Sequence, residues 1–203
     1  MSKARAEAFS DGVFAVAITV LIFNVTESVQ KHGPGGLLDA LLAAWPAYAA
    51  YVASFLTIGV MWVNHHGMFQ RLSGIDRPLL FVNLLLLMAI VFLPFPTAIL
   101  GANIAVPEDS RAAASFYALN AVVIAIFFSA LWVYTFSHPH LLSPKVDRQS
   151  AMRATPRYSI GLLGYLICVP LGQISPVAVV IVCAALAIYY MFERLPDASN
   201  PPR

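Results

Sequence analysis

The chain has 203 residues, of which 60% are hydrophobic and 11% charged, with a mean hydropathy of +0.77. Soluble domains carry about twice that share of charge, so an all-α integral membrane protein is expected, with room for about six spans of roughly 20 residues and no soluble domain besides. The net charge of +2 comes from basic residues dispersed around apolar segments, which gives no footing for nucleic acid.

The first element opens on Arg5-Ala-Glu-Ala-Phe9-Ser10-Asp11-Gly12 and continues apolar to Val25, which places a first span at residues 7–26. Asp11 falls where a signal peptide needs an uninterrupted apolar region, and no small-residue cleavage site follows, so the segment reads as a retained span. A Gly- and Pro-containing loop over 28–39 leads to a second span at 41–68, and a short polar turn at 70–77 leads to a third at 78–101. Pro107-Glu108-Asp109-Ser110 signals a helix start ahead of a fourth span at 112–136. Residues 138–156 form the longest polar stretch and are expected to be mobile. The last apolar stretch divides at 172–176 into spans at 157–173 and 176–193. Residues 1–196 are then one six-span membrane domain, and 197–203 a Pro-rich tail expected to be disordered.

With six spans, Lys3, Arg5, Arg71, Arg77, Lys145, Arg148, Arg153, Arg157, Arg194 and Arg203 share one side, against Lys31 and Arg111 on the other. The positive-inside rule puts both termini in the cytoplasm of a cell membrane, and an odd count would scatter the basic residues. The Phe-Ser-Asp segment occurs once, so a central pathway would need several chains around a symmetry axis. Cys168 and Cys183 lie in apolar runs and are expected to pack as small hydrophobes, with no disulfide.

A carboxylate near the end of a span needs a partner, water or an ion. Trp62, Asn64, His65 and His66 lie a turn or two before Arg71, and Asn83 lies about two turns after Arg77. Counted at 1.5 Å per residue these groups share the shallow depth of Asp11, so Arg5, Asp11, a histidine and Asn83 are expected to satisfy one another across three helices. That knot reads as helix-packing structure first, with proton sensing by a histidine as the alternative. Adjacent histidines on a helix point about 100° apart, and His138 and His140 fall in the polar stretch, so no metal or haem site is expected. Ser10 lacks a base-and-orienter arrangement, so no enzyme is expected. Stepping along the first span at helical spacing from Asp11 gives Val16, Thr19, Val20 and Phe23. Such a stripe is either plain helix packing or, facing an axis, a hydrophobic constriction that gates by dewetting. No TVGYG-type filter loop and no regular arginine series of a voltage sensor occurs.

The opening Arg5-x-x-x-Phe9-Ser10-Asp11-Gly12 resembles the hallmark of the transmembrane protein 175 family in its single-repeat prokaryotic branch. Trp62-x-x-His65-His66-x-x-Phe69 resembles the family's second signature, and Asn83 and Pro94-Phe95-Pro96 are similar too. The resemblance implies a passive cation channel, potassium-selective or leaky to sodium, assembled as a homotetramer of six-span subunits whose first helices line the pore. It implies no cofactor, with K+ and other monovalent cations as the permeant ions and the lipid bilayer as surroundings. The family's ring of bulky aliphatic residues about five positions after the aspartate falls on Val16, with Thr19 a turn outward and Val20 and Phe23 beyond. The family more often has isoleucine or leucine there, so the shorter valine implies a wider ring. Arg5, Ser10, Asp11, Trp62, His65 or His66, and Asn83 would support the pore helix at its mouth. A proton-coupled cation transporter and a non-conducting membrane scaffold remain as the other readings.

Overall fold

The computed structural model describes residues 2–30, 36–144, 146 and 148–192, the side chains of 148–159 excepted. In hydrocarbon a backbone finds no water to bond, so an apolar chain closes its hydrogen bonds within helices. They are α1 (Lys3–Gln30), α2 (Leu37–Ala43), α3 (Trp45–Gln70), α4 (Arg77–Phe92), α5 (Pro94–Asn103), α6 (Ser110–Ser137), α7 (Arg148–Ile174) and α8 (Pro176–Phe192). Four runs are long and apolar enough to cross a membrane: α1, α3, α4 with α5, and α6. Their 26 to 28 residues extend about 40 Å at 1.5 Å per residue, beyond a hydrocarbon core of about 30 Å. The apolar stretch Ile160–Ile174 of α7 and the whole of α8 are shorter.

Three expected boundaries differ, each for a backbone reason. The third span is broken at Leu93 rather than continuous. Pro94 and Pro96 have no N–H, so the carbonyls of Ile90 and Phe92 lose their helical partners. Leu93 N turns instead to Ile90 O at 3.1 Å, and Asn24 Nδ2 of α1 donates to Pro94 O at 2.9 Å. The loop expected over 28–39 gives way at Leu37 to α2, about two turns long, which stops at Ala44 because Pro46 tolerates only the first turn of α3. The polar stretch 138–156 is not wholly irregular. A 3-10 turn covers Pro139–Leu141, and α7 starts at Arg148. Lys31, Lys145, Arg194 and Arg203 of the charge count, and the tail 197–203, lie outside the described residues.

The bundle packs α1 against α3, α4 and α5, while α6 packs against α4, α5, α7 and α8. Apolar burial drives little of this in lipid, where close van der Waals contact between small residues does the work. A Cβ on Gly101 of α5 would sit 3.1 Å from Ala47 Cα of α3, and one on Gly172 of α7 would sit 2.8 Å from Ser115 N of α6. The buried thiols Cys168 and Cys183 are both free, one on α7 and one on α8.

The end of the bundle that carries Arg5 and Arg71 is stitched by backbone bonds. Ser73 N donates to Leu141 O and Ser143 N to Arg71 O, both at 2.8 Å, around an isolated bridge between Leu72 and Leu142. Asp76 caps α4 by accepting from Leu79 N at 2.9 Å, and its second oxygen accepts from Tyr134 OH of α6 at 2.7 Å. Partial burial pushes this carboxyl up, but those two bonds and the nearby His138 and His140 outweigh it and hold Asp76 below the ordinary carboxylate range.

Candidate pore helix and its supporting network

Helix α1 has two faces that the sequence spacing sets apart. Ala6, Ser10, Phe14, Ala17 and Leu21, three or four residues apart, are buried against the other helices. The opposite stripe is open. Val16 is 57% exposed and Phe23 67%, Val20 and Thr19 lie on the same side, and a Cβ on Gly12 would meet nothing within 4 Å. Thr19 Oγ1 donates to Val16 O at 2.9 Å, so its proton is engaged within the helix while its oxygen keeps acceptor capacity toward the open face.

Behind the stripe, three helices share one directional chain of hydrogen bonds. Ser10 Oγ donates to Ala6 O at 2.9 Å, which leaves that oxygen to accept from Asn83 Nδ2 at 3.0 Å. Asn83 Oδ1 then faces His65 Nε2 at 2.7 Å, so that nitrogen is the donor. Ser10, Asn83 and His65 are all buried. The imidazole packs between Phe69, stacked at 4.3 Å, and Phe14 at 5.3 Å, and its Nδ1 is buried with no hydrogen-bond partner among the described residues.

Asp11 forms a second, more open contact, accepting from Trp62 Nε1 at 2.9 Å. The indole stacks with His66 at a ring separation of 6.0 Å. His66 faces outward, with Nε2 2.8 Å from Gln70 Nε2 and Nδ1 3.3 Å from Glu7 Oε1, within ion-pair reach but off hydrogen-bond geometry. The residues expected in one knot therefore divide into two layers: His65, Asn83 and Ser10 inside, and Asp11, Trp62, His66 and Glu7 outside. Adjacent residues on a helix point about 100° apart, which is why one histidine joins each layer. Arg5 joins neither; it is exposed and makes no ion pair with Asp11 among the described residues. Asn64 lines a separate cavity of about 50 Å³ with Thr57, Ser129, Tyr165 and Tyr190.

A further buried chain escaped the sequence reading. Ser54 Oγ of α3 lies 2.8 Å from Thr97 Oγ1 of α5 and 3.0 Å from Tyr117 OH of α6. Thr97 donates to Leu93 O at 2.8 Å, so the direction runs from Tyr117 through Ser54 and Thr97 to the carbonyl at the α4–α5 break. Isolated hydroxyls in apolar runs have no spacing signature; the one available signal was Thr97 beside a proline pair. Among the described residues no three His, Cys, Asp or Glu side chains converge as metal ligands would.

The model of the family described as "Endosomal/lysosomal potassium channel TMEM175" matches residues 5–94, which hold the whole of this network except Tyr117 and Thr97. A Streptomyces collinus protein named as a potassium channel is 45% identical over 192 residues, covering 95% of this chain and 93% of that protein. The crystal structure described as a lysosomal potassium-selective channel TMEM175 homolog from Chamaesiphon minutus matches with a TM-score of 0.80 at 40% identity. It covers 93% of this chain and 96% of that one. The human protein named endosomal/lysosomal proton channel TMEM175 is 32% identical over 154 residues, which are 72% of this chain and 31% of that longer protein.

Proposed function

The chain belongs to the TMEM175 family, and from that membership and the open face of α1 we propose that it is a passive, potassium-preferring cation channel and not an enzyme. The observation that carries this reading is the asymmetry of α1. A helix that buries Ser10, Phe14 and Leu21 on one side leaves Val16, Thr19, Val20 and Phe23 open on the other, a face for lipid tails or for further copies of the chain to cover. Four copies around a common axis cover it from one chain with one Phe-Ser-Asp segment. Six spans per subunit follow if α7 and α8 cross as the last pair, with α2 lying outside the count. The basic residues then put both termini on the cytoplasmic side of the cell membrane. Residues 1–196 act as one channel domain and no cofactor is needed beyond the permeant K+.

In this arrangement ions cross by shedding part of their hydration at rings of Val16, Val20 and Phe23, with the oxygens of Thr19 as one polar layer. Potassium, the more weakly hydrated ion, loses less than sodium in doing so. The Ser10–Asn83–His65 chain holds α1 to α4 and α3 and so fixes the ring diameter, while Asp11 supports the mouth and raises the local cation concentration there. The filter of backbone carbonyls used by ordinary potassium channels has no counterpart.

Purified protein in liposomes with an outward potassium gradient tests the reading. Passive uptake of a tracer cation, faster with potassium than sodium, is the expected result. Uptake that requires a pH gradient indicates a proton-coupled transporter, and no flux a scaffold. The name of the human relative makes a proton-flux arm worth running beside them.

A further inference from the structure

Asn64 sits beside His65 on α3 and points about 100° away from it, out of the Ser10–Asn83–His65 chain. It turns toward α6, α7 and α8, where it lines the cavity of about 50 Å³. None of the residues that line this cavity is exposed. Polar groups reach it from all four helices: Thr57 and Asn64 of α3, Ser129 of α6, Tyr165 of α7 and Tyr190 of α8. Thr57 Oγ1 donates to Ala53 O at 2.8 Å and keeps acceptor capacity, while Tyr190 OH accepts from Gly161 N at 2.7 Å. The Asn64 amide and the hydroxyls of Ser129 and Tyr165 have no hydrogen-bond partner among the described residues, and Tyr165 is only 4% exposed.

Three candidate occupants differ in what they leave unpaired. An acyl or detergent chain would strand all three groups, a heavy penalty where no other water reaches them. A cation would find no counter-charge, because no charged side chain lines the cavity. Water is neutral, donates and accepts at once, and fits: at roughly 15 Å³ apiece the space holds about three molecules. We propose that an ordered water cluster is a bound ligand of this cavity, hydrogen-bonded to Asn64, Ser129 and Tyr165 and joining α3 to α6 and α7. Helix α3 is then held from two sides at one level. His65 ties it through Asn83 to α4 and α1, and Asn64 ties it through water to the outer helices. Turning α3 about its axis would break one tie or the other, so the cluster helps set which histidine faces inward. The site requires no ion to pass along α1, and its failure leaves the channel reading untouched.

X-ray radiolytic labelling of the purified protein in detergent, read by mass spectrometry, tests the site, because hydroxyl radicals formed on bound waters mark the side chains beside them. Tyr117 is the matched control: it is 1% exposed, hydrogen-bonded to Ser54 at 3.0 Å and absent from the cavity wall. Tyr165 is expected to be oxidised several-fold faster than Tyr117. Rapid mixing into heavy-oxygen water should bring the isotope into the Tyr165 product only after a lag, as slow exchange of ordered waters requires. Asn64→Leu, which fills the space and removes an anchor, should bring the Tyr165 rate down to that of Tyr117. If that variant does not fold, Ser129→Ala carries the test and should lower the rate in part. Equal rates at the two tyrosines in the unaltered protein overturn the proposal, as a dry or chain-filled cavity would give. So does an unchanged Tyr165 rate in the folded variants. Isotope entry without a lag would mark a crevice open to bulk solvent. A Tyr165 rate that changes when potassium is replaced by N-methylglucamine would mark a cation, and either result also overturns it.

Discussion

His65 and Asn83 meet at 2.7 Å across α3 and α4, with no exposed surface to speak of on either side chain. The amide serves both directions at once, accepting from the imidazole and donating to Ser10 of α1 at 3.0 Å. One side chain thus joins the three helices that set the position of the open stripe on α1. Asn83→Leu keeps the branched shape at a somewhat larger volume and strands a histidine N–H and a serine oxygen. Interhelical bonds in membranes average well under the water-soluble figure, so a loss of about 1–2 kcal/mol is expected. A double-mutant cycle with His65→Phe, read by thermal unfolding in detergent, should show coupling between the two. Strictly additive losses would mean that the contact carries no energy of its own.

Asp76 predicts a dependence on acid. Its carboxyl is held below the ordinary value of 3.8 in the folded protein. A depressed folded pKa stabilises the fold above the unfolded pKa, and that stability fades as pH falls through the lower folded value. Asp76→Asn keeps a capping oxygen but removes the charge, so it should lower stability at neutral pH by about 0.3–1 kcal/mol and make little difference under strong acid. A gap between the two proteins that is constant from neutral pH to pH 3 and below would count against the capping carboxylate.

The glycines rank themselves by what stands opposite. A methyl on Gly172 would fall 2.7 Å from Ser115 Oγ and 2.8 Å from Ser115 N, and a backbone atom cannot step aside. Gly172→Ala should cost about 1–3 kcal/mol by forcing α7 from α6. Gly161→Ala meets the far end of Tyr190 at 2.9 Å, which can rotate, so its cost should be smaller. Gly12→Ala meets nothing and should be neutral or gain up to about 1 kcal/mol of helix propensity. Melting temperatures of the three variants in one detergent should follow that order, and a harmless Gly172→Ala would contradict the close approach.

The helices, four of them long and apolar enough to span, were legible because hydropathy, prolines and flanking charges act locally. Residues 7–26 and 112–136, expected as spans, lie inside α1 and α6, and the division at 172–176 falls where α7 ends at Ile174 and α8 begins at Pro176. The break at Leu93 was not drawn, although Pro94 and Pro96 were in view, because two missing N–H groups kink a helix without ending its apolar run. Depth along a helix was enough to bring His65 and Asn83 to the level of Asp11, although the bond to α1 runs through the neighbouring Ser10. It could not decide which histidine turned inward, since that depends on the rotation of α3 against α1. Nor could depth separate Arg5 from Asp11: six residues apart on one helix, they differ in facing. The Ser54–Thr97–Tyr117 chain is a purely tertiary event among three lone hydroxyls.

The account stands or falls on whether ions pass along the open stripe of α1. Bi-ionic reversal potentials across planar bilayers, with potassium on one side and sodium on the other, address this most directly when the unaltered protein is compared with Val16→Asn. The expected result is a potassium-favouring potential that shifts toward zero in the variant, because an amide in the ring supplies oxygens that compensate sodium for its lost water. A potential identical in the two proteins would place the narrow part of the path somewhere other than Val16.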